Sequence, residues 1–323
     1  MSASESPAIS LSNVTKVFRD FWFRPRVTAV KDLSFSIARG EAFGLLGPNG
    51  SGKSTTIKLV LGLLFPTSGD LRVLGRPATD VALKERIGYL PEDSTLYRFL
   101  NARETLDFYG RLFHLPRRER RRRSDELIEM VGLSGAVARP VAEYSKGMQR
   151  RLGLAQALIN DPDLLILDEP TAGMDPEATG QIKEYLKTLR ARGKTIILCT
   201  HLLSEVEDVC SRLAILYGGR LLSEGPVDEL LRQADFQNIR VDLLAPETLE
   251  KIRRVVEEEA GKRVLEVENP RLRLEELFLR VVKTAEADGR TTAGASGQGQ
   301  IAAFLAGANP EPGSEGEPDA GAV

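Results

Sequence analysis

Cysteine, histidine and tryptophan are nearly absent from this 323-residue chain, which holds two, two and one of them. Cys199 and Cys210 form no ligand pattern, so a reduced cytosolic protein is expected rather than a disulfide-built one. Charge of one sign is also missing: the formal net charge is −2, which leaves no global field to recruit nucleic acid or an acidic membrane surface. Long apolar runs are lacking as well. The longest, Leu59 to Phe65, falls far short of the ~20 residues a membrane helix needs. Met1 to Pro7 is polar, without the apolar region of a secretory signal. These absences predict a protein that is soluble by itself. What is present is apolar content, 42% of residues, enough for one large or two modest domains.

The most informative stretch is Gly47-Pro48-Asn49-Gly50-Ser51-Gly52-Lys53-Ser54-Thr55, which fits G-x-x-x-x-G-K-[ST]. Glu41 to Leu46 before it reads as a short buried strand. Thr56 to Leu64 after it places Ile57, Val60, Leu61 and Leu64 on one helix face. Glycine at 47, 50 and 52 lets the backbone turn tightly enough for consecutive N–H groups to point at an anion. A helix starting near Lys53 adds the partial positive charge of its N-terminus, about half an elementary charge. Lys53 is expected on the β- and γ-phosphates and the Ser54 hydroxyl on Mg²⁺. Strand, glycine loop and helix together predict a nucleoside triphosphate site.

Around this loop the chain alternates strands and helices. Ile9 to Thr15 reads as an edge strand followed by Val17-Phe18, and Thr28 to Ile37 as another strand. Between them lies an aromatic and basic insert, Arg19 to Arg26. An aromatic here can stack on a nucleotide base or pack in the core, and periodicity does not choose between the two. Asp70 to Leu74 and Ile87 to Glu92 follow as strands, and Ala102 to Leu133 has helical spacing. Within it, Arg117 to Arg123 is strongly basic. Nucleic acid or phospholipid could be its target, but the acidic neighbours Asp125, Glu126 and Glu129 favour a solvated helix start. Ser145 is placed to cap a helix running to Asn160.

Leu164-Leu165-Ile166-Leu167 has the continuous apolarity of a strand buried on both faces and ends at Asp168-Glu169. Asp175-Pro176 starts a helix to Arg192, and Thr195 to Thr200 is a strand ending at His201, before a helix from Leu202 to Val209. The alternation from Gly40 to Tyr217 predicts an α/β fold with a mostly parallel sheet and helices on both faces. Ligands of such sheets bind beyond the carboxyl ends of the strands. The phosphate loop, Asp168-Glu169 and His201 all fall there. Asp168 can hold the Mg²⁺ shell, Glu169 can orient or deprotonate a water attacking the γ-phosphate, and His201 can donate to γ-phosphate oxygens. His114 follows helical apolar residues and reads as structural or exposed.

The C-terminal third reads differently. A small unit over 234–284 is expected to hold strand Ile239 to Leu243, helix Pro246 to Glu259, strand Val264 to Val267 and helix Leu272 to Val282, with packing or dimer support as its role and regulation as the lesser alternative. From Ala285 to Val323 the composition is that of a disordered tail, in which Ile301 to Leu305 reads as solvated rather than as a docking patch.

Taken together, these residues resemble the ATP-binding subunit of an ABC transporter, over roughly Ile9 to Leu230 and in the family's motif order. The likeness is to stand-alone bacterial exporter-type subunits of the drug- or sodium-efflux kind, and the accessory unit ending Leu274 to Leu279 is similar to their C-terminal extension. The resemblance implies a P-loop NTPase core of RecA-like type with an antiparallel β part and a helical subdomain at about 90–160, all within a domain over 1–233. It implies that Phe18 stacks on adenine, with Trp22 and Phe23 competing for that role. Gly47 to Thr55 matches the first Walker motif and Leu164 to Asp168 the second, with Glu169 the catalytic carboxylate and His201 the switch histidine. Ser145-Lys146-Gly147-Met148 stands at the signature Ser-Gly-Gly-Gln, where Lys146 and Met148 depart from the pattern while Ser145 and Gly147 keep the hydroxyl and the backbone contact. Ala172-Gly173-Met174-Asp175 matches the loop that communicates between subunits. Glu92 stands where many members carry a glutamine touching Mg²⁺ and the attacking water; a carboxylate can still ligate Mg²⁺ but adds negative charge near phosphates.

The implied assembly is a head-to-tail dimer, with itself or a related ATPase, bound to a separate integral membrane permease docked on the helical region from Tyr89 to Leu133. The implied cofactors are ATP and Mg²⁺, the implied location the cytoplasmic face of the membrane, and no nucleic-acid partner is expected. Two rival readings stand beside it: a cassette ATPase acting on ribosomes or DNA, and a P-loop kinase with a small acceptor.

Overall fold

The inner strands of the central sheet carry nearly continuous apolar runs, and their side chains divide between two cores by simple alternation. In the computed structural model, Leu165 and Leu167 face one apolar core and Leu164 and Ile166 face the other. Neighbouring strands repeat the pattern: Ile196 and Leu198 lie in the first core, Ile197 and Cys199 in the second. A strand buried on both faces needs cover on both. Helices supply it on the first face, but on the second the α-helix at residues 53–60 shares the work with an antiparallel sheet over residues 9–37 and 68–73, which corrects the expectation of helices on both faces. The structure describes residues 6–22, 24–93, 96–231, 244–258, 264 and 301–306.

In chain order the strands are β1 (Ile9–Arg19), β2 (Pro25–Ile37), β3 (Ala42–Leu46), β4 (Ser68–Val73), β5 (Arg76–Pro77), β6 (Ile87–Leu90), β7 (Leu164–Asp168), β8 (Thr195–Cys199), β9 (Arg212–Tyr217) and β10 (Arg220–Pro226). The α-helices are α1 (Lys53–Val60), α2 (Ala102–Leu112), α3 (Arg117–Met130), α4 (Lys146–Leu158), α5 (Pro176–Ala191), α6 (Leu203–Val209), α7 (Val227–Leu231) and α8 (Pro246–Glu258). Six strands form the main sheet in the order β10-β9-β3-β8-β7-β6, with β9-β3-β8-β7-β6 parallel and β10 antiparallel. A second, antiparallel sheet runs β2-β1-β4-β5. The chain is therefore a P-loop-type α/β fold with an added antiparallel part.

Contacts divide the chain into one unit of residues 1–230 with 293–323 and another of 231–292. In the second unit the regular structure among the described residues is α8, matching the expected helix from Pro246 to within one residue at its end. The strands expected at Ile239 to Leu243 and Val264 to Val267 and the helix from Leu272 lie outside the described residues or, at Val264 alone, show no strand.

Three further expectations need correcting. The first strand is no edge: β1 pairs with β2 on one side and β4 on the other, and its polar residues alternate with apolar ones because one face is solvated. Helix α1 stops at Val60 rather than Leu64, because Gly62 turns the chain at φ 63° where it passes against the Ala78 carbonyl. Within the stretch expected to be solvated, residues 303–306 form a short 3₁₀ turn, and Ala302, Phe304 and Leu305 are buried in the first unit. The Phe304 ring lies 4.6 Å from the Arg123 guanidinium, and its N–H donates to Glu126 Oε2 at 3.1 Å.

The basic run on α3 is a paired surface. Arg122 bonds Glu119 at 2.7 Å and Glu126 at 2.9 Å, Arg123 bonds Glu119 at 2.7 Å, and Arg120 bonds Asp107 of α2 at 2.7 Å. Such pairs add little stability each, but they consume much of the field the run would otherwise project.

Candidate functional site

The phosphate loop joins β3 to α1, and two of its glycines show why the sequence folds this way. A Cβ at Gly47, whose φ is 151°, would stand 2.3 Å from the Leu216 carbonyl oxygen, so the loop can press against β9 only with glycine there. At Gly50, φ is 77° and nothing lies within 4 Å of where a Cβ would be, so the backbone borders open space. Gly52 precedes α1, and Lys53 is its first residue. The Lys53 ammonium arcs back over the loop, donating to the carbonyls of Gly47 at 2.5 Å and Pro48 at 3.2 Å. The first N–H groups of a helix have no intrahelical acceptor, so this end of α1 offers donors to an anion.

Two strands away, β7 ends in the carboxylates. Asp168 is buried, and burial, reinforced by Glu92 and Glu169, pushes its carboxyl up to about 6, with Arg150 and Lys53 opposing. A carboxyl raised in this way is one that a nearby cation would return to its charged form. Glu169 adopts a left-handed backbone at φ 52°, rare for a residue with a side chain. That twist is held by its N–H donating to the Cys199 carbonyl at 2.7 Å. Its carboxylate is held too: Oε1 lies 2.8 Å from His201 Nδ1 and accepts the His201 N–H at 3.0 Å, while Thr200 donates to Oε2 at 3.3 Å. The His201 ring itself is exposed.

These ends open onto one cleft lined by Phe18, Arg26, Val27, Thr28, Ala29, the loop from Asn49 to Thr55, Glu92, Asp168 and Glu169. Phe18 is half-exposed, with the Lys16 ammonium 5.4 Å from its ring, so it belongs to the cleft and not to the core. Trp22 packs edge-on against Phe21 at 5.6 Å, is largely exposed and does not line the cleft, while Phe23 lies outside the described residues. Gly47 and Pro48 serve the cleft through the carbonyls that hold Lys53, and His201 joins it through Glu169.

Ser145, Gly147 and Asp175 do not line the cleft of this chain. Ser145 caps α4, its hydroxyl accepting the Met148 N–H at 3.2 Å, and Asp175 caps α5, accepting from Ala178 at 2.8 Å. The start of α4 approaches the loop before α5: a Cβ on Gly147 would meet the Gly173 carbonyl at 3.7 Å.

Sequence reasoning passed over two residues. Arg150, buried in α4, donates to backbone carbonyls at both β6 and β7 ends. Burial lowers its pKa, and Asp168, Glu169 and Glu92 oppose that shift. Glu205 of α6 is buried and accepts from Thr171 in the loop after Glu169. The available signal was a cation or carboxylate inside an apolar helical stretch, since such groups stay buried only when bonded.

Comparison with known proteins agrees with this geometry. The model of the ABC transporter family matches residues 30–172. An uncharacterized ABC transporter ATP-binding protein of Nostoc is 45% identical over 235 residues, 72% of this chain and 70% of that one. The Nod factor export ATP-binding protein I of Sinorhizobium fredii is 49% identical over 220 residues, 68% of this chain and 62% of that one. Among solved structures, the ATP-binding cassette MJ0796, as a post-hydrolysis dimer bound to ADP and Pi, superposes with a TM-score of 0.63 at 27% identity, covering 68% of this chain and 98% of that one. CbiO1 of Clostridium perfringens, part of the ABC transporter complex cbiONQ, superposes with a TM-score of 0.62 at 26% identity, covering 80% and 97%. The match to the family model and the 45% identity over 72% of the chain make this chain a member of the ABC transporter family, an ATP-binding and ATP-hydrolysing subunit.

Proposed function

We propose that this ATPase drives export through a separate membrane permease, by closing on ATP as a head-to-tail dimer with itself or a related subunit. The observation that carries the reading is the cleft in which Lys53 and the α1 N-terminus meet Asp168 and Glu169. Export is supported by the relatives named for Nod factor export, and dimer closure by the dimeric cassette. Among the described residues no helix is long and apolar enough to cross a membrane, so membrane contact is assigned to the permease, on the cytoplasmic face. A boundary after residue 233, before accessory residues 234–284, is supported by the division of contacts near 231; the tail proposed over 285–323 is not separate from the first unit in that division, which includes 293–323.

In this reading the loop from Gly47 to Thr55 cradles the phosphates, Lys53 bonds the β- and γ-phosphates, and Phe18 stacks on the base. The open backbone at Gly50 and the raised carboxyl of Asp168 fit a magnesium–nucleotide complex. Ser54, Asp168 and Glu92 would hold Mg²⁺, which supplies positive charge to the phosphate oxygens when bound. Among the described residues no group of three or more His, Cys, Asp or Glu side chains forms a metal site by itself. Such a site relies on phosphate oxygens and water for its remaining ligands, as Mg²⁺ commonly does. Glu169 orients or deprotonates the attacking water, held by His201 and Thr200, and His201 donates to the γ-phosphate. Ser145, Gly147 and Asp175 act on the nucleotide of the other subunit, which accounts for their position away from this chain's own cleft.

Glu169→Gln tests the assignment. It is expected to bind ATP as the parent does, to lose at least about 100-fold in turnover, and to run as a dimer in gel filtration with ATP. Unchanged hydrolysis would overturn the role given to Glu169.

A further inference from the structure

The Arg150 side chain is the most heavily bonded cation in the described structure that the chemistry above leaves unused. A guanidinium has five N–H donors in a rigid fork. Here all five are spent on five different carbonyl oxygens. Nη1 donates to Pro91 and, at 2.9 Å, to Glu92, just past the end of β6. Nη2 donates to Asp168 and, at 2.6 Å, to Glu169, at the end of β7, and Nε reaches Pro170 at 3.3 Å. The residue is 4% exposed, so water does not substitute for these acceptors. It projects from the second turn of α4, whose first turn carries Ser145 as cap. The helix also lies tight on β6, since a Cβ on Gly88 would come 2.0 Å from the Ala157 carbonyl.

We propose that Arg150 is a positioning residue that locks the backbone of Glu92 to that of Asp168-Glu169 and ties both to the helix bearing Ser145. The proposal rests on the reading of the cleft as an ATPase site. A displacement of α4, or of the segment after Glu92, is thereby transmitted to the backbone that aims the Glu169 carboxylate. Glu169 is especially responsive because its left-handed backbone fixes where the side chain starts. The fork, rather than the charge, does this, because an ammonium has three donors and cannot span five acceptors.

Arg150→Lys separates the two. The lysine variant is expected to lose roughly 10- to 100-fold in kcat, with KM for ATP within about threefold of the parent and the nucleotide still bound. The neighbouring Arg151→Lys, whose arginine donates to the Val131 carbonyl at 3.3 Å, is expected to change kcat by less than about twofold. Full activity in Arg150→Lys, or a loss confined to KM, would overturn the fork. A variant that fails to fold does not protect the idea, because hydrogen exchange on the unaltered chain tests it directly. The amides of 92 and 93 and those of 169, 171 and 172 should gain protection at the same ATP concentration; protection of one segment without the other refutes the lock. An unaltered chain that neither binds nor hydrolyses ATP would instead sink the reading of the cleft, with the Arg150 bonds left standing.

Discussion

The β3 end and the β7 end, separated by one strand of the sheet, handle charge in opposite ways. The β3 end presents donors and uses little side-chain mass: glycines, backbone N–H groups, a helix terminus and one lysine. The β7 end presents acceptors and crowds acids together, and its backbone is held by a buried arginine while its side chains are held by Thr200 and His201. In the proposed reading, binding is carried mainly by backbone shape on one side, and reactivity by side-chain chemistry on the other. Substitutions at the two ends are expected to separate affinity from turnover.

The strongest challenge is Gly47→Ala. Its Cβ would collide with the Leu216 carbonyl, costing about 3 kcal/mol or more from overpacking. Both melting temperature and ATP binding should collapse; a stable, ATP-binding variant would deny that backbone shape governs this end. Lys53→Ala comes next, removing a charged hydrogen-bond donor worth about 1.5–3 kcal/mol, or roughly 10- to 150-fold in Kd for ATP by calorimetry. If it lowered turnover and left Kd alone, the division between the two ends would fail. Asp168→Asn should act on the other side, raising the Mg²⁺ needed for half-maximal turnover by about tenfold, the equivalent of ~1.4 kcal/mol, while nucleotide binding without metal stays close to that of the parent. Phe18→Ala has the smallest effect expected. A half-exposed ring stacked on a base contributes about 1 kcal/mol, roughly a fivefold rise in KM. No change there would move the base away from Phe18.

The β3 end was legible in the sequence because its parts are contiguous: strand, glycines, lysine and helix follow one another within fifteen residues of Glu41. The β7 carboxylates were legible through the apolar run that ends on them. The support beneath them was not, because the Arg150 acceptors are carbonyls, which no residue identity announces. They are also as much as 59 positions away, at Pro91. The interior position of β1 escaped for a similar reason. Alternation tells which face of a strand is wet but says nothing about how many neighbours it has. Ile301 to Leu305 was masked by its surroundings, since an apolar pentapeptide in a stretch rich in glycine, alanine and proline carries little periodicity of its own.

That pentapeptide has a consequence for synthesis. Phe304 bonds Glu126 and covers Arg123, both of which leave the ribosome long before it does. A nascent chain halted ahead of Ile301 would display bare apolar surface where Phe304 and Leu305 belong, open to chaperones or to another unfinished copy. The helical region is therefore completed late in translation, by residues that belong to it in space and not in sequence.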